Sequence, residues 1–272
     1  MISTQLMGGL GNQMFQYAIA LNLSKKYNLD FSLDLSYLKR RDFGNLFTYR
    51  DYDLDIFNIS PNFVVPDNNF IIEEKFFHHN LEIDKIVEKN IDKNVLLLGQ
   101  WQSYLYFDEV ELRRHFNFKD NIENSDIYTK HLLAKIRNSN SVMLNIRRTD
   151  YLNNDFHGVI GLDYINKSVE IISSKVNQPE FFIFSDDIEW CSQNINLKNM
   201  TIVDHKYKGY KFSYYLQLMS NCKHFIIPNS TFAWWSAWLN TNTDKIVISP
   251  KRWFNREDIN TNDLIPDNWI RI

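Results

Sequence analysis

Two adjacent arginines occupy the segment of this sequence whose residue types most directly suggest chemistry. Arg147 and Arg148 belong to the segment NIRRTDY at residues 145–151, which follows the apolar run VML at 142–144. A guanidinium group keeps its charge when it is buried, so two of them at the end of a buried strand require anionic partners. The guanidinium fork matches the oxygens of a diphosphate. The alternative is an ion-pair network in which the arginines fix Asp150 and its loop.

A glycine-rich loop, MGGLGNQ at residues 7–13, follows a predicted strand at 2–6 and opens a predicted helix at 13–27. Glycine allows a ligand to approach the backbone closely, and the N-terminus of a helix attracts anions. The loop is no Walker motif, because no Gly-Lys-Ser or Gly-Lys-Thr follows it. It is no dinucleotide fingerprint either, because Met14 occupies the third glycine position. A tight strand–helix turn without a ligand is the alternative.

An acidic pair, Asp186 and Asp187, follows the predicted strand at 181–184. Carboxylates at the end of a strand can accept hydrogen bonds from a ribose or from the edge of a guanine base. They can equally cap the helix that follows, because Asp is a favoured N-cap residue. The two roles are compatible, so the sequence leaves both open.

A third polar segment, Asn229-Ser230-Thr231, follows the predicted strand at 225–227 and begins a predicted helix at 231–239. Hydroxyl groups and free backbone N–H groups at a helix start can bind a phosphate. The helix carries three tryptophans at positions 234, 235 and 238. Because aromatic side chains bury large areas, we expect these to pack the helix against the sheet.

Apolar periodicity predicts the elements that position these motifs. In the second half of the chain, predicted strands at 142–146, 181–184, 201–203, 225–227 and 246–248 alternate with predicted helices at 162–174, 188–194, 212–221 and 231–239. This alternation indicates βαβ crossovers and a parallel sheet. The first half has further predicted strands at 31–35 and 95–98, a largely irregular stretch at 39–94, and a weakly helical linker at 119–140. We therefore predict an α/β protein of two domains that face each other across a cleft.

Composition excludes several classes of function. The chain has 272 residues, a net charge of −3 and no block of Lys and Arg, which argues against a nucleic-acid partner. Its apolar runs are far too short to span a membrane, and its first residues do not resemble a signal peptide. Cys191 and Cys222 are isolated in sequence, as reduced thiols of a cytoplasmic protein would be.

Several of these segments together resemble one family. The segment at residues 7–18 resembles the N-terminal motif of the bacterial α-1,2-fucosyltransferases of glycosyltransferase family 11. The segment RRTDY at 147–151 is similar to that family's His-x-Arg-Arg-x-Asp motif. Further similar segments are FHGV at 156–159, FSDD at 184–187, NSTFAWWSAWL at 229–239, GQWQS at 99–103 and SPKRWF at 249–254. Because the similar segments occur in order from Leu6 to Ile272, coincidence is a poor explanation.

The resemblance implies a GT-B-type fold of two Rossmann-like domains. It assigns residues 1–138 mainly to the acceptor and residues 139–272 to GDP-fucose, with the extreme C-terminus packing back on the first domain. It implies inverting transfer of L-fucose without a metal ion or other cofactor. The implied catalytic residues are Arg147, Asp150 and His157. The implied donor-binding residues are Gly9, Gly11, Asn12, Gln13, Asn145, Arg147, Arg148, Asp186, Asp187, Asn229, Ser230 and Thr231.

The implied acceptor is a sugar hydroxyl, galactose 2-OH in an α-1,2 linkage, on an oligosaccharide or a lipid-linked surface-glycan precursor such as O-antigen. We expect a cytoplasmic enzyme that spans no membrane and works peripherally at the inner membrane. Two alternatives remain open. One is a catalytically impaired GDP- or carbohydrate-binding homologue, and the other is an oxidoreductase that modifies nucleotide sugars.

Two positions depart from the family pattern. Asn145 stands where the family has histidine, and Ser236 stands where it has glycine. An asparagine amide can replace a histidine that hydrogen-bonds the nucleoside, but it cannot replace a histidine that transfers a proton. The base that takes the acceptor proton would then be Asp150 or His157.

One segment imitates a metal site. Asp51-Tyr52-Asp53 has the D-x-D pattern of metal-dependent glycosyltransferases. As a calcium loop it fails, because Ile56 occupies the glycine position and Asn62 the closing glutamate position. The alternation of acidic and apolar residues also fits a half-exposed strand. We therefore predict no metal site here.

Overall fold

The computed structural model describes residues 1–42, 44, 48–75, 79–152 and 154–272. Within these ranges the chain divides into two compact units. The first unit comprises Met1–Lys119 and Asp258–Pro266, and the second comprises Asp120–Glu257 and Asp267–Ile272. Each unit is built on a sheet of parallel strands with helices between them, which confirms the predicted α/β class.

In the first unit, parallel strands lie in the order β2-β1-β4-β3. The strands are β1 (Ile2–Gln5), β2 (Phe31–Asp34), β3 (Phe70–Glu73) and β4 (Val95–Leu98). The helices are α1 (Leu10–Tyr27), α2 (Ser36–Lys39), α3 (Ile83–Glu88) and α4 (Glu109–His115). Helix α1 packs Ile19 and Leu23 against Ile2 and Leu97 of the sheet. This core fixes the carboxyl ends of β1 and β4 side by side.

In the second unit, parallel strands lie in the order β10-β9-β8-β5-β6-β7. The strands are β5 (Asn140–Ile146), β6 (Pro179–Ser185), β7 (Met200–Ile202), β8 (His224–Ile226), β9 (Val247–Ser249) and β10 (Ile270–Arg271). The helices are α5 (Ile127–Asn138), α6 (Leu162–Lys175), α7 (Ile188–Asn194), α8 (Ser213–Ser220) and α9 (Thr231–Leu239). This is the strand order of a doubly wound dinucleotide-binding fold.

The core of the second unit explains why its sequence alternates so clearly. Val142, Leu144 and Ile183 from the central strands are fully buried together with Ile172 of α6. Parallel strands are covered on both faces, so they appear as continuous apolar runs rather than alternating ones. The predicted packing role of the tryptophans of α9 is confirmed, because Trp234, Trp235 and Trp238 are all buried.

The stretch predicted to be irregular holds elements that the sequence concealed. Strand β3 lies at the edge of its sheet, and only Ile72 of its residues is buried, so no apolar period marks it. Residues 51–53 form no strand, contrary to the half-exposed strand considered above, and a 3₁₀ turn at Leu54–Ile56 follows them.

The division between the units falls at Lys119 rather than at the expected boundary after residue 138. Helix α5, which we had placed in a linker, belongs to the second unit. Asp126 caps it by accepting hydrogen bonds from the backbone N–H groups of Tyr128 and Thr129 at 2.9 and 3.1 Å. The helix then buries Leu132, Leu133 and Ile136. The sequence of this segment has only a short apolar face and therefore predicted a weak helix. Tertiary packing, which the sequence does not display, supplies most of the stability of such a helix.

Among the residues that the structure describes, no helix combines the length and apolar character needed to cross a membrane. Both cysteines are free thiols and buried, as their isolation in sequence predicted.

Candidate active site

The strand order of the second unit identifies a ligand-binding edge. From β5 the chain proceeds outward to β6 and β7, and then returns to β8 on the other side of β5. In open α/β sheets, ligands bind beyond the carboxyl ends of the strands at such a reversal. Arg147, Asp186 and Ser230 follow the ends of the adjacent strands β5, β6 and β8. The topology therefore gathers three predicted motifs at one edge.

Arg147 lies between two carboxylates. One Nη atom is 3.3 Å from Oδ2 of Asp186, and the other donates a hydrogen bond to Oδ2 of Asp150. Burial lowers the pKa of Arg147, but the charges of Asp186 and Asp150 raise the pKa by more, so the guanidinium stays charged. The structure therefore contains the ion pairs that the sequence offered as an alternative to diphosphate binding. The side chain of Arg147 is 28% exposed.

Asp186 holds the turn that carries the arginines. Its carboxylate accepts hydrogen bonds from the backbone N–H groups of Arg148 at 2.9 Å and Thr149 at 3.0 Å, and from the Thr149 hydroxyl. These bonds cross from β6 to β5 and fix the direction in which Arg147 leaves the sheet. A contact from Asp186 to a nucleoside stays a prediction.

Asp187 caps helix α7, which confirms the capping alternative. Its Oδ1 accepts a hydrogen bond from the backbone N–H of Trp190 at 3.1 Å. Its Oδ2 lies 3.5 Å from Nε of Arg148, whose guanidinium carbon is 3.9 Å from the centre of the Trp190 ring. Arg148 is thus stacked and paired with only 16% of its side chain exposed, and its contact with the donor stays a prediction.

Asn145, the departure from the family histidine, pairs with Phe184 across β5 and β6. Its Nδ2 donates a hydrogen bond to the Phe184 carbonyl at 2.9 Å. The amide is therefore held at the end of the sheet beside the acidic pair. A histidine ring nitrogen bearing a proton can donate in the same way.

Asn229 links three loops at this edge. The side chain is 2% exposed, and its Nδ2 lies 2.8 Å from the carbonyl of His157 and 3.0 Å from that of Trp253. The Gly158 carbonyl is 3.3 Å away. The amide nitrogen of Asn229 thus donates to backbone carbonyls of the protein itself. A direct contact of Asn229 with a donor stays a prediction. Ser230 and Thr231 begin helix α9 as expected.

His157 packs face to face with Tyr151, with ring centres 4.7 Å apart and planes 7° apart. Burial lowers the pKa of His157, Asp150 raises it and the charge of Arg147 lowers it, with a net decrease. The ring is therefore neutral near pH 7. Its Nδ1 is buried and has no hydrogen-bond partner among the described residues. A neutral imidazole of this kind can accept a proton.

In the first unit, Gly8 rather than Gly9 is the glycine that the turn requires. Gly8 has φ of +77°, and a Cβ there would lie 2.4 Å from Nδ2 of Asn12. Gly9 is the N-cap of α1 with φ of −81° and ψ of −178°, which any residue can adopt. Helix α1 starts at Leu10, so Gly11 and Asn12 belong to its first turn.

Gln13 was predicted to bind the donor; in the structure its side chain bonds the protein's own backbone, and a contact with the donor stays a prediction. Its side chain is fully buried. Nε2 donates to the carbonyls of Gly8 at 3.0 Å and Asp51 at 2.8 Å, and Oε1 accepts from the N–H of Asp53 at 2.9 Å. The amide therefore uses its hydrogen-bonding groups to hold the D-x-D segment against α1. Asp51 also pairs with Arg41 at 2.9 Å.

The sequence analysis missed the residues that support the end of β4. Glu74 accepts hydrogen bonds from the backbone N–H groups of Gln100 at 2.7 Å and Trp101 at 3.0 Å. Gln102 donates to Oδ1 of Asn12 at 3.3 Å. The signal available was the similar segment GQWQS at 99–103, which carried no assigned role.

The structure gathers no cluster of metal-ligating side chains in the part of the chain that it describes. No group of three or more His, Cys, Asp or Glu side chains in the described ranges is arranged to hold a metal ion. The D-x-D segment instead provides contacts within the first unit, as the bonds to Gln13 and Arg41 show.

Comparisons with known proteins agree with the motifs. A model of the family described as glycosyl transferase family 11 matches residues 1–272. An α-1,2-colitosyltransferase of Escherichia coli is 35% identical, with 100% of this chain and 98% of the relative covered. The O-antigen biosynthesis glycosyltransferase WbnK of Escherichia coli is 33% identical, with 98% of this chain and 99% of the relative covered.

Solved structures support the fold class. The fucosyltransferase NodZ from Bradyrhizobium superposes with a TM-score of 0.53 at 11% identity, covering 87% of this chain and 91% of NodZ. At this identity the likeness concerns the fold, which is of the GT-B type. The family match makes the chain a glycosyltransferase, so the oxidoreductase alternative is wrong. The chain belongs to glycosyltransferase family 11.

Proposed function

We propose that this glycosyltransferase transfers L-fucose from GDP-β-L-fucose to a sugar hydroxyl, with galactose 2-OH and an α-1,2 linkage as the expected acceptor and product. The arginine pair at the strand reversal of the second unit carries the proposal. The similarity to two relatives supports it, since one is named an α-1,2-colitosyltransferase and the other an O-antigen biosynthesis glycosyltransferase. One NodZ structure was co-crystallized with GDP.

The reaction is a single displacement at C1 of the fucose. The acceptor oxygen forms a bond to C1, the bond from C1 to the diphosphate oxygen breaks, and GDP leaves with that electron pair. Arg147 would exchange part of its pairing with Asp150 and Asp186 for the diphosphate, because its charge persists and its fork suits phosphate oxygens. Fixed positive charge near a leaving group stabilises the transition state more than the ground state.

The acceptor proton must go to a base as attack proceeds. We propose His157, because its ring is neutral and its Nδ1 has no partner among the described residues. Asp150 is the second candidate, but its Oδ2 is engaged with Arg147. The proton would pass from the acceptor hydroxyl to the imidazole and then to solvent.

A second donor follows from a specific observation, the 35% identity to a colitosyltransferase. Colitose is L-fucose without its 3-hydroxyl group. A site that hydrogen-bonds this hydroxyl would reject colitose strongly, whereas a site that makes no such bond would accept both sugars. The ratio of kcat/KM for GDP-fucose and GDP-colitose therefore tests the donor sugar directly.

The decisive experiment is incubation of the protein with GDP-fucose and a panel of galactosides. We expect release of GDP together with a fucosylated product, whose linkage and anomeric configuration can be read by NMR. Calorimetry should show binding of GDP and not of UDP. Binding of GDP without transfer to any acceptor from either donor would favour the impaired homologue instead.

The proposed acceptor is a glycan precursor carried on a lipid, so we propose a peripheral position at the cytoplasmic face of the membrane. Co-sedimentation with vesicles bearing a diphosphate-linked glycolipid tests this. Equal recovery with vesicles lacking the glycolipid would contradict a role for the acceptor in membrane binding.

A further inference from the structure

His157 lies in a cluster of aromatic rings at the ligand-binding edge of the second unit. The ring of Tyr151 is nearly parallel to it, with ring centres 4.7 Å apart. The ring of Phe156 approaches edge-on at 5.1 Å, and the ring of Phe254 is tilted at 5.5 Å. Aromatic faces attract a cation, so these surroundings suit an imidazolium as well as a neutral imidazole. The charge state of His157 is therefore decided by the charged groups nearby.

Tyr151 also contacts Arg147, whose guanidinium carbon is 5.7 Å from the centre of the Tyr151 ring. The hydroxyl of Tyr151 donates a hydrogen bond to the carbonyl of Asn229 at 3.2 Å, and Nδ2 of Asn229 donates to the carbonyl of His157 at 2.8 Å. The His157 ring is thus held near Arg147 by a ring contact and by two hydrogen bonds that share Asn229. All of these residues belong to the second unit.

Two charged groups of the turn after β5 act on His157. The carboxylate of Asp150 raises the pKa of His157, whereas burial and the charge of Arg147 lower it. On the side of the segment after β9, the uncharged ring of Phe254 faces His157, and the guanidinium of Arg252 donates to the Phe254 carbonyl at 3.1 Å. Arg147 is therefore the group whose charge a ligand could offset to favour a proton on His157.

A diphosphate bound at Arg147 would change this balance. It brings the negative charges of both phosphates to the guanidinium and offsets the positive charge that opposes a proton on His157. Because the rings exclude water from His157, this interaction is only weakly screened. The pKa of His157 is then higher in the complex than in the free protein. A base whose pKa approaches the working pH is the more effective general base.

We propose that a diphosphate bound at Arg147 strengthens His157 as a proton acceptor, and that Tyr151 is the positioning residue that holds the two groups near each other. This inference rests on the proposed function, in which Arg147 binds the diphosphate of the donor, and it uses residues of the second unit alone. In part of the molecules, donor binding draws a proton from solvent onto His157. In the molecules whose imidazole stays neutral, the base is stronger when the donor is in place.

Calorimetry of GDP-fucose binding at pH 6.5, without acceptor and in buffers of different ionisation enthalpy, measures this proton. Both phosphates of GDP-fucose are diesters and do not titrate near neutrality, unlike the terminal phosphate of GDP. We expect uptake of about 0.3 proton or more per molecule bound, and none in His157→Asn. Uptake that persists in His157→Asn would overturn the inference.

His224→Asn is the matched control for this measurement. His224 is also partly buried, but it lies at the amino end of β8, opposite to the ligand-binding edge. Its Nδ1 accepts a hydrogen bond from the Ile246 N–H at 3.1 Å, which an asparagine oxygen can also accept. We expect this variant to keep the proton uptake of the wild type, and loss of uptake here would count against His157 as the group that gains the proton.

Two variants test the role of Tyr151. Tyr151→Phe keeps the ring contact and should keep the proton uptake. Tyr151→Leu lacks the ring and should lose more than about half of the uptake, because His157 is no longer held near Arg147 and water screens the pair. Uptake in Tyr151→Leu equal to that of the wild type would refute the positioning role.

The wild type provides a test that needs no substitution. Among the seven histidines, the NMR titration of one should move to higher pH when GDP-fucose is bound. The acidic limb of kcat, which reports the complex, should lie at higher pH than the acidic limb of kcat/KM for GDP-fucose, which reports the free enzyme. Binding of GDP-fucose without proton uptake and without these shifts would overturn the inference. A protein that binds no GDP-fucose would instead refute the proposed function.

Discussion

Arg147 is charged, partly exposed and already paired, and this combination suits a group that exchanges partners during a reaction. The carboxylates of Asp150 and Asp186 keep the guanidinium charged and oriented in the absence of a diphosphate. A ligand bearing two phosphate groups offers the same bidentate geometry with more charge. We therefore propose that the ion pairs seen in the structure and the binding of a diphosphate are two alternative states of the Arg147 side chain.

This view predicts that Arg147→Ala abolishes transfer and that Arg147→Lys also fails. A lysine keeps the charge but makes no bidentate contact. Loss of one charge-assisted contact to the transition state costs ~3 kcal/mol, which is more than a hundredfold in kcat. Steady-state kinetics with circular dichroism as the control for folding checks this. A Lys variant within threefold of the wild type would show that Arg147 is not the diphosphate clamp.

Asn145 gives a second prediction at the residue scale. Its amide donates to the Phe184 carbonyl, and a histidine can make the same bond. We expect Asn145→His to keep GDP affinity and turnover of the same order. We expect Asn145→Ala to weaken GDP binding by ~1 kcal/mol, the net value of one hydrogen bond.

The competing hypothesis is that the family histidine is the general base. The wild type would then be nearly inert, and Asn145→His would raise turnover by ~10²-fold or more with GDP affinity unchanged. Turnover numbers of the wild type and both variants at saturating donor decide between the two hypotheses.

The environment of His157 predicts how kcat/KM depends on pH. Burial and the charge of Arg147 hold its pKa below the usual value near 6.5, so the basic, neutral form persists at pH 7. If this ring takes the acceptor proton, kcat/KM should be flat near neutrality and fall only below pH 6.5. His157→Asn should lower kcat by ~10²-fold or more and remove this acidic limb. If the pH profile of the variant kept the same decrease at acidic pH, Asp150 rather than His157 would be the general base.

At the scale of elements, the turn between β1 and α1 contains two glycines that look equivalent in sequence but differ in backbone conformation. Gly8→Ala places a Cβ against Asn12. It also requires an alanine to adopt the φ of +77° that Gly8 has, which is unfavourable for any residue with a Cβ. We expect this variant to lose ~1–3 kcal/mol of unfolding free energy. Gly9→Ala meets no atom closer than Nε of Arg50 at 3.9 Å, so it should be neutral or slightly stabilising.

Urea unfolding of the two variants measures this difference. Equal destabilisation by both substitutions would mean that the backbone conformation of Gly8 does not limit the turn. Only the stability is compared, because Gly9 lies in the segment that the resemblance assigns to the donor.

Elements with strong apolar periods were predictable, and those without were not. Strands β5 and β6 are buried on both faces, and their apolar runs stand out in the sequence. Strand β3 buries only Ile72, and α5 depends on a cap at Asp126 and on a narrow apolar face. Such elements are stabilised by tertiary contacts that a single sequence does not display.

At the scale of the whole molecule, residue types at strand ends were predictable, but their partners were not. The edge at which Arg147, Asp186 and Ser230 assemble follows from the alternation of strands and helices. The bonds from Gln13 to Asp53 and from Gln102 to Asn12 join residues 40 and 90 positions apart. Such pairs are set by how helices pack on the sheet, so the structural bonds of Gln13 could not be predicted from the sequence, and its donor role stays a prediction.

The charge of the leaving diphosphate must be offset somewhere in the molecule, and this gives the last prediction. Arg147 and Arg148 provide two permanent positive charges at the ligand-binding edge of the second unit, and the start of helix α9 adds backbone N–H groups. The D-x-D segment is engaged elsewhere, because Asp51 pairs with Arg41 and the backbone at 51 and 53 is bonded to Gln13. We therefore expect transfer activity to survive an excess of EDTA, measured as GDP release at saturating donor and acceptor. Asp51→Asn should retain the same insensitivity to EDTA. Loss of activity on chelation, restored by Mn²⁺ in the wild type and not in Asp51→Asn, would assign a metal to the D-x-D segment and overturn the arginine-based account of leaving-group stabilisation.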